Sequence, residues 1–326
     1  MNRQLAGLAE PRFGAFTTDQ ARACGYSYDA IKQMLRSGRW HRLRRGAYID
    51  RVTFDGLDRL GRHRALIGAV SLSYADRVAI SHESAAVLHG IALWDRDLSR
   101  VHVTRLDDGA PRIERDVHHH AGELPPAHVV LRDDGLLVSS PHRTLLEVAC
   151  TSTLEQALVT ADAGLHSGLV RHAEFRELVD ACRSWPGARN AGAVVSLADG
   201  RAESVGETRT RLAMRDAGLP TPELQVEIHD RFGSLVGRVD FLFPEQNTIV
   251  EFDGRVKYDG TCREPSAKVL YEEKLREDQL RELGYEVVRI VWADLENPAH
   301  VIARVRRAFA RAEARRAALR AATFTR

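Results

Sequence analysis

The sequence contains few cysteines and no long apolar run. Its four cysteines (Cys24, Cys150, Cys182 and Cys262) are isolated, with no Cys-x-x-Cys pair, so reduced thiols are favoured over a disulfide scaffold. No apolar stretch approaches the roughly 18 to 20 residues that cross a bilayer, and the first residues show no secretory apolar region. We therefore expect a cytoplasmic protein with no membrane partner.

Lysine is also scarce, because arginine supplies nearly all of the 47 basic residues. Three of the four lysines, Lys257, Lys268 and Lys274, lie close together near the C-terminal end. A desolvated lysine can lose its proton and act in acid/base chemistry, whereas arginine stays charged. The clustering supports a reactive site in this segment without establishing one.

Basic residues are unevenly distributed despite a net charge of +2. Residues 31–51 hold seven basic residues against the single acid Asp50, and residues 303–326 are arginine-rich with only Glu313 opposing. Two basic ends favour a polyanionic partner. For the C-terminal stretch, a solvated helix face is an equally open alternative.

A winged helix-turn-helix is predicted near the N-terminus, within residues 16–50. Thr17 or Thr18 can cap a first helix, Gly25 marks the turn, and a second helix is expected over about Ser27–Ser37. The following RWHRLRRGAYI combines apolar and basic residues, as a β-wing along a phosphate backbone requires. The alternative is a small helical subdomain with a basic hairpin.

The segment FTTDQARACGYSYDAIKQMLRSGRWHRLRRGAYI resembles the N-terminal winged-helix domain of AbiEi-type antitoxins. In that family the domain binds operator DNA, and the proteins belong to abortive-infection toxin–antitoxin systems. The resemblance implies double-stranded DNA as a partner and opens the question of a cognate toxin. It assigns DNA contact to Lys32, Arg36 and Arg39 on the second helix and to Arg42, Arg44 and Arg45 on the wing.

The middle of the chain has the pattern of an α/β region that is similar to the middle region of AbiEi-like proteins. We expect two helices, the second starting near Ser81, then strands at 101–105 and 128–140, then helices with Thr153 and Gln156 in a capping box.

The run VHHH at residues 117–120 raises the question of a metal site. Consecutive residues of a strand alternate between faces, so three adjacent histidines do not readily bind one ion. We therefore do not expect a metal role from this run.

The C-terminal part predicts the order helix, three strands, helix, strand, helix. The turn PEQN centres a hairpin in which Asp240 pairs with Glu251, with Cβ atoms roughly 4.5 to 5.5 Å apart; Asp253 shares the face of Glu251. Opposed like charges require a cation, and oxygen ligands favour Mg²⁺ or Mn²⁺. Alternatively, Arg238 opposite Asp253 forms a plain ion pair.

The same part, through GRVDFLFPEQNTIVEFDG and the later GYEVVRI, resembles endonucleases related to very-short-patch-repair nucleases in the PD-(D/E)XK superfamily. The resemblance implies a restriction-endonuclease-like α-β-β-β-α-β core and Mg²⁺-dependent hydrolysis of DNA phosphodiester bonds. It assigns metal binding to Asp240 and Glu251, and catalytic roles to Glu207, Asp240, Glu251, Asp253 and Lys257. Lys274, on the helix that follows, is the second lysine that could orient the attacking water or stabilise charge on the phosphate, and a solvent-facing position is an equally open alternative for it.

One departure from that family concerns position 253, where the superfamily motif has lysine and this chain has aspartate. Lys257 or Lys274 would have to supply the missing ammonium group. If neither reaches the metal, the domain binds DNA without cutting it.

The sequence thus predicts a multidomain α/β protein with a boundary after the Pro- and Gly-containing residues 183–195. The expected domains are a winged helix at 1–55, an AbiEi-like α/β domain at 56–190 and an endonuclease-like domain at 200–326. The leading functional expectation is a metal-dependent endonuclease placed on DNA by the winged helix. The alternative is an antitoxin or autoregulating repressor with an inactive nuclease-like domain; a subunit of a repair or recombination complex is a third.

Overall fold

A computed structural model of the chain describes residues 1–74, 77–107, 109–254 and 267–324. The chain divides into two compact units, residues 1–198 and residues 199–326. Both combine helices with β-sheet, which confirms the predicted mixed α/β character. Among the described helices, none is both long and apolar enough to cross a membrane.

The N-terminal part of the first unit has the elements of a winged helix: α1 (Arg3–Ala9), β1 (Phe16–Thr17), α2 (Thr18–Ala23), α3 (Tyr28–Arg36), β2 (Trp40–Arg44), β3 (Ala47–Asp50) and α4 (Arg51–Asp55). The strands form an antiparallel sheet in the order β1-β3-β2. Thr17 caps α2 in a capping box with Gln20, and the Ser27 side chain caps α3. Both predicted helices are confirmed.

Aromatic packing holds this part together. Phe16 packs edge-on against Trp40, with ring centroids 4.7 Å apart, and both rings are buried together with Ile31 of α3. Large buried rings dominate the energy of a small core. The Ile31 side of α3 is therefore fixed inward.

The rest of the first unit places helices around a six-stranded sheet. Its elements are α5 (Arg59–Tyr74), β4 (Val78–Ile80), α6 (His82–His89), β5 (Val101–Arg105), β6 (Arg112–Ile113), β7 (Val117–His120), β8 (Val129–Leu131), β9 (Leu137–Ser139), α7 (Pro141–Thr151), α8 (Leu154–His166), α9 (His172–Ala181) and α10 (Ala188–Leu197). The strand order is β6-β7-β5-β4-β9-β8, with β5 and β7 parallel. The predicted capping box of α8 is confirmed. The single strand expected at 128–140 is instead the antiparallel pair β8 and β9.

The second unit contains α11 (Val205–Asp216), β10 (Glu223–His229), β11 (Leu235–Phe243), β12 (Thr248–Asp253), α12 (Ala267–Glu282), β13 (Glu286–Val291) and α13 (Pro298–Phe324). Its strands pair in the order β10-β11-β12-β13, and only the last pair is parallel. This is the predicted order of elements. Phe241 pairs with Val250 and Leu242 with Ile249, which confirms the predicted hairpin register.

The arginine-rich C-terminal stretch lies on α13, and one face of this helix is in the core. Val301 and Val305 are fully buried. Arg311 and Arg315 both bind the Glu286 carboxylate, so part of the positive charge of α13 is used within the unit.

Candidate functional site

Exposed basic side chains on the winged helix form a first candidate site. Burial of Ile31 anchors α3 and leaves its basic residues facing solvent. Cations on a recognition helix and a wing are suited to contact phosphates. Five of the six predicted DNA-contacting side chains are exposed: Lys32, Arg36, Arg39, Arg42 and Arg45.

The sixth side chain, Arg44, is occupied within the first unit. Its Nε lies 2.9 Å from Asp116 Oδ2, one guanidinium nitrogen lies 3.8 Å from Glu114 Oε2, and the side chain is only 12% exposed. The guanidinium also lies over the Tyr74 ring of α5. Arg44 therefore joins the wing to the β6–β7 hairpin, and its contact with DNA stays a prediction.

The predicted acidic site lies on β11 and β12. The pairing of β11 with β12 reaches Phe241 and Val250, and Asp240 and Glu251 are the next residues on the two strands. The Asp240 carboxylate accepts a 2.7 Å hydrogen bond from the Phe252 N–H. Burial, together with the charges of Glu207 and Glu251, raises the pKa of Asp240 to about 6. A perturbed carboxyl among other acids is typical of functional sites, although structural networks produce the same effect.

Neighbouring side chains hold the other two acids. Glu251 binds Arg276 at 2.5 Å and lies 3.8 Å from Arg289, while Glu207 accepts a 2.9 Å hydrogen bond from Gln225. A divalent ion at Glu251 would have to displace two arginines. With both arginines in place, the arrangement does not fit a magnesium site. Binding of Mg²⁺ or Mn²⁺ stays a prediction.

The remaining residues predicted for this site have different surroundings. Lys274 is exposed on α12, and Lys257 lies outside the described residues. Arg238, the alternative partner considered for Asp253, donates a 2.8 Å hydrogen bond to Glu203. The catalytic roles of the lysines and of Asp253 therefore stay predictions.

A histidine cluster in the first unit was missed by the sequence reasoning. Ring nitrogens of His82, His102 and His120 all lie within 4.8 Å of one another. The alternation of faces holds for His119, whose ring packs against Tyr74 away from the cluster. The other two histidines come from other elements, His82 at the start of the helix predicted near Ser81 and His102 in the strand predicted at 101–105. A histidine in each of these predicted elements was the available signal.

Comparisons with known proteins bear mainly on the N-terminal part. Residues 3–49 match a family described as "Transcriptional regulator, AbiEi antitoxin", which confirms that part of the resemblance. The uncharacterized Mycobacterium tuberculosis proteins MT2308 (strain CDC 1551 / Oshkosh) and Rv2248 (strain ATCC 25618 / H37Rv) are each 34% identical over 233 residues, which cover 70% of this chain and 80% of each relative. The crystal structure of the RV2827C protein from M. tuberculosis matches with 14% identity and a TM-score of 0.39, covering 70% of this chain and 87% of that one.

Proposed function

We propose that this chain, which belongs to the same family as the uncharacterized M. tuberculosis proteins Rv2248 and MT2308, is a transcriptional regulator that binds duplex DNA. The AbiEi antitoxin match over residues 3–49 supports this function. In this proposal α3 enters the major groove and the wing lies along the phosphate backbone.

The observation that carries the proposal is the set of exposed cations on α3 and the wing. Lys32 and Arg36 are exposed on a helix whose opposite side is anchored by buried Ile31. Arg42 is exposed on β2, two residues after buried Trp40. Cations held on such a frame neutralise phosphates and release counterions, which supplies affinity for DNA.

Fluorescence anisotropy with a duplex from the promoter of the protein's own gene tests this function. The double variant K32A/R36A should bind at least about tenfold more weakly than the wild type, because it loses two phosphate contacts. R183A is the matched control, since Arg183 is an exposed arginine outside the winged helix. Equal affinity of K32A/R36A and the wild type would contradict this DNA-binding surface.

An antitoxin role would add a cognate toxin as a second partner, and the same family match supports this part. The neighbouring genes should then include one whose expression alone arrests growth. Co-expression of this chain should relieve the arrest. If no neighbouring gene is toxic, the protein acts as a regulator without a toxin.

A second candidate function is metal-dependent hydrolysis of DNA by the second unit, which requires Arg276 and Arg289 to move away from Glu251. Asp240 and Glu251 directly follow the last pair of the β11–β12 register, and the pKa of Asp240 is raised to about 6 by burial and the nearby acids. Plasmid cleavage with Mg²⁺ or Mn²⁺, with and without EDTA, tests it. Cleavage should disappear in D240A and E251A and persist in E245A, which removes an exposed acid from the hairpin turn. Cleavage by D240A and E251A at the wild-type rate would exclude this site.

A further inference from the structure

Three imidazoles from separate elements meet in the first unit. His82 begins α6, His102 lies on β5 and His120 ends β7. Strands β5 and β7 are parallel, with His102 paired to His118, so His118 and His120 share the sheet face of His102. One ring nitrogen from each of the three clustered residues lies within 4.8 Å of the other two.

Two of these nitrogens are close enough to share a proton. His102 Nδ1 lies 3.0 Å from His120 Nε2, a distance at which one ring must donate and the other accept. A tetrahedral ion with metal–nitrogen bonds of about 2.0–2.1 Å holds its ligand nitrogens about 3.3 Å apart. An ion can therefore replace this proton after a shift of a few tenths of an ångström.

The third ring is already in contact with the pair. His82 stacks on His120 with ring centroids 3.7 Å apart and an angle of 14° between the ring planes. The nitrogen lone pairs lie in the ring planes, so one of these two rings must tilt before both nitrogens can face the same ion.

Two buried carboxylates stand next to the rings. Glu83 Oε2 lies 3.1 Å from His102 Nδ1, and Glu147 Oε2 lies 3.6 Å from His82 Nδ1. Glu83 approaches the same His102 Nδ1 that lies beside His120, so this carboxylate is next to the position of an ion. Each carboxylate also binds an arginine, Glu83 to Arg96 and Glu147 to Arg143, and these pairs limit the negative charge that is left to offset the ion.

The cluster borders a cavity of about 600 Å³. His82 and His120 line this cavity together with Arg143, Glu147, Cys150 and Cys182. An ion at the cluster would therefore have three nitrogen ligands and one side open to the cavity. Three protein ligands with an open fourth position is the arrangement of zinc sites that bind water or a small exogenous ligand.

We propose that His82, His102 and His120 bind one divalent transition-metal ion of the zinc class, with its fourth position open to the cavity. Imidazole ligands suit Zn²⁺, Co²⁺ and Ni²⁺, whereas Mg²⁺ requires oxygen ligands. The site goes beyond the regulation of transcription and does not depend on it.

Equilibrium dialysis of the tag-free full-length chain against Zn²⁺, after EDTA treatment, tests the site by elemental analysis. The wild type should retain one zinc ion per chain. H102Q and H120Q, which keep a polar side chain at each position, should bind zinc at least about tenfold more weakly. Zinc uptake by both variants that equals the wild type would overturn the proposal.

Two controls separate this site from other sources of binding. H229A removes an exposed histidine of β10 and should bind zinc like the wild type. D240N/E251Q should also retain zinc, since it alters only the acids of the second unit. Loss of zinc in either control, to the level of H102Q, would assign the binding elsewhere and overturn the proposal.

Cobalt binding provides a readout that does not depend on any variant folding. Co²⁺ added to the wild type should produce the intense visible absorption of a tetrahedral, imidazole-bound ion, and Zn²⁺ should abolish it. A weak octahedral spectrum would overturn the proposal. DNA affinity measured on the same sample tests the regulator function separately. A protein that retains zinc but does not bind DNA would contradict only the regulator function.

Discussion

Arg44 of the wing and Asp116 of the β6–β7 hairpin form an ion pair of 2.9 Å, with side chains 12% and 20% exposed. The pair connects the winged-helix part of the first unit with its larger sheet. Breaking a largely buried pair leaves one charge without its partner, which costs more than the loss of an exposed pair.

Removal of either partner should destabilise the first unit. We expect R44Q and D116N each to lower the free energy of unfolding by about 1–3 kcal/mol, measured by urea denaturation. The double variant should lose less than the sum of the two. R45Q, which changes the exposed neighbouring arginine, should stay within about 0.5 kcal/mol of the wild type. Strictly additive losses would mean that the two residues do not interact in solution.

The salt dependence of DNA binding should distinguish Arg42 from Arg44. Arg42 is exposed, so R42Q should reduce the slope of log K against log salt by about 0.9, the value for one phosphate contact. R44Q should leave the slope nearly unchanged, because its guanidinium is held by Asp116. Anisotropy titrations at several salt concentrations give both slopes. Equal slope changes would show that Arg44 leaves Asp116 to contact DNA.

His63 should make the first unit less stable in acid. The ring is buried, with Nδ1 2.8 Å from the Leu98 carbonyl and Nε2 2.9 Å from Ser84 Oγ. A carbonyl can only accept, so Nδ1 carries the proton and Nε2 accepts from the Ser84 hydroxyl. Burial lowers the pKa of His63 from 6.5 to about 4.

The direction of this pH effect on stability follows from proton binding to His63 in the folded and unfolded states. Below pH 6.5 the unfolded chain binds a proton at His63 that the folded chain does not take up until about pH 4. Stability from this group is therefore fully present above pH 6.5 and is lost as the pH falls toward 4, by about 3 kcal/mol in total. Urea denaturation of wild type and H63N in EDTA should show a steeper loss for the wild type over this interval. Parallel pH profiles would refute the assignment.

Gly68 of α5 should not tolerate a side chain. A Cβ at this position would lie 2.1 Å from the carbonyl oxygen of Arg12, so the chain around Arg12 would have to move. We expect G68A to lower the free energy of unfolding by about 2 kcal/mol or more. G192A is the matched control, since Gly192 of α10 has open space around its Cβ position and should gain up to about 1 kcal/mol in helix propensity. Similar denaturation midpoints for the two variants would refute the close contact.

The sequence predicts those parts of the fold that depend on neighbouring residues. Thr17 and Ser27 mark the starts of α2 and α3 because capping involves only the next three residues. The β11–β12 register follows from the symmetric turn between Phe243 and Thr248. Local chemistry is sufficient in these cases, since the interacting groups are close along the chain.

The parts that escape prediction depend on distant pairing. His102 and His120 meet because β5 and β7 are parallel neighbours, and no local pattern specifies that pairing. Arg44 appears on sequence grounds to be a free cation, and its acidic partners lie about 70 residues later in the chain. Strand β4 has only three residues, and so short an apolar run cannot be distinguished by its sequence from part of a helix.

Successive residues of β7 face two different compartments. His118 and His120 point to the histidine cluster, while His119 packs against Tyr74 on the side where Glu114 and Arg44 lie. The four residues of β7 thus separate the histidine cluster from the ion pairs of Arg44. A shift of β7, caused by an ion bound on one face or by movement of the wing on the other, would change the contacts on both faces.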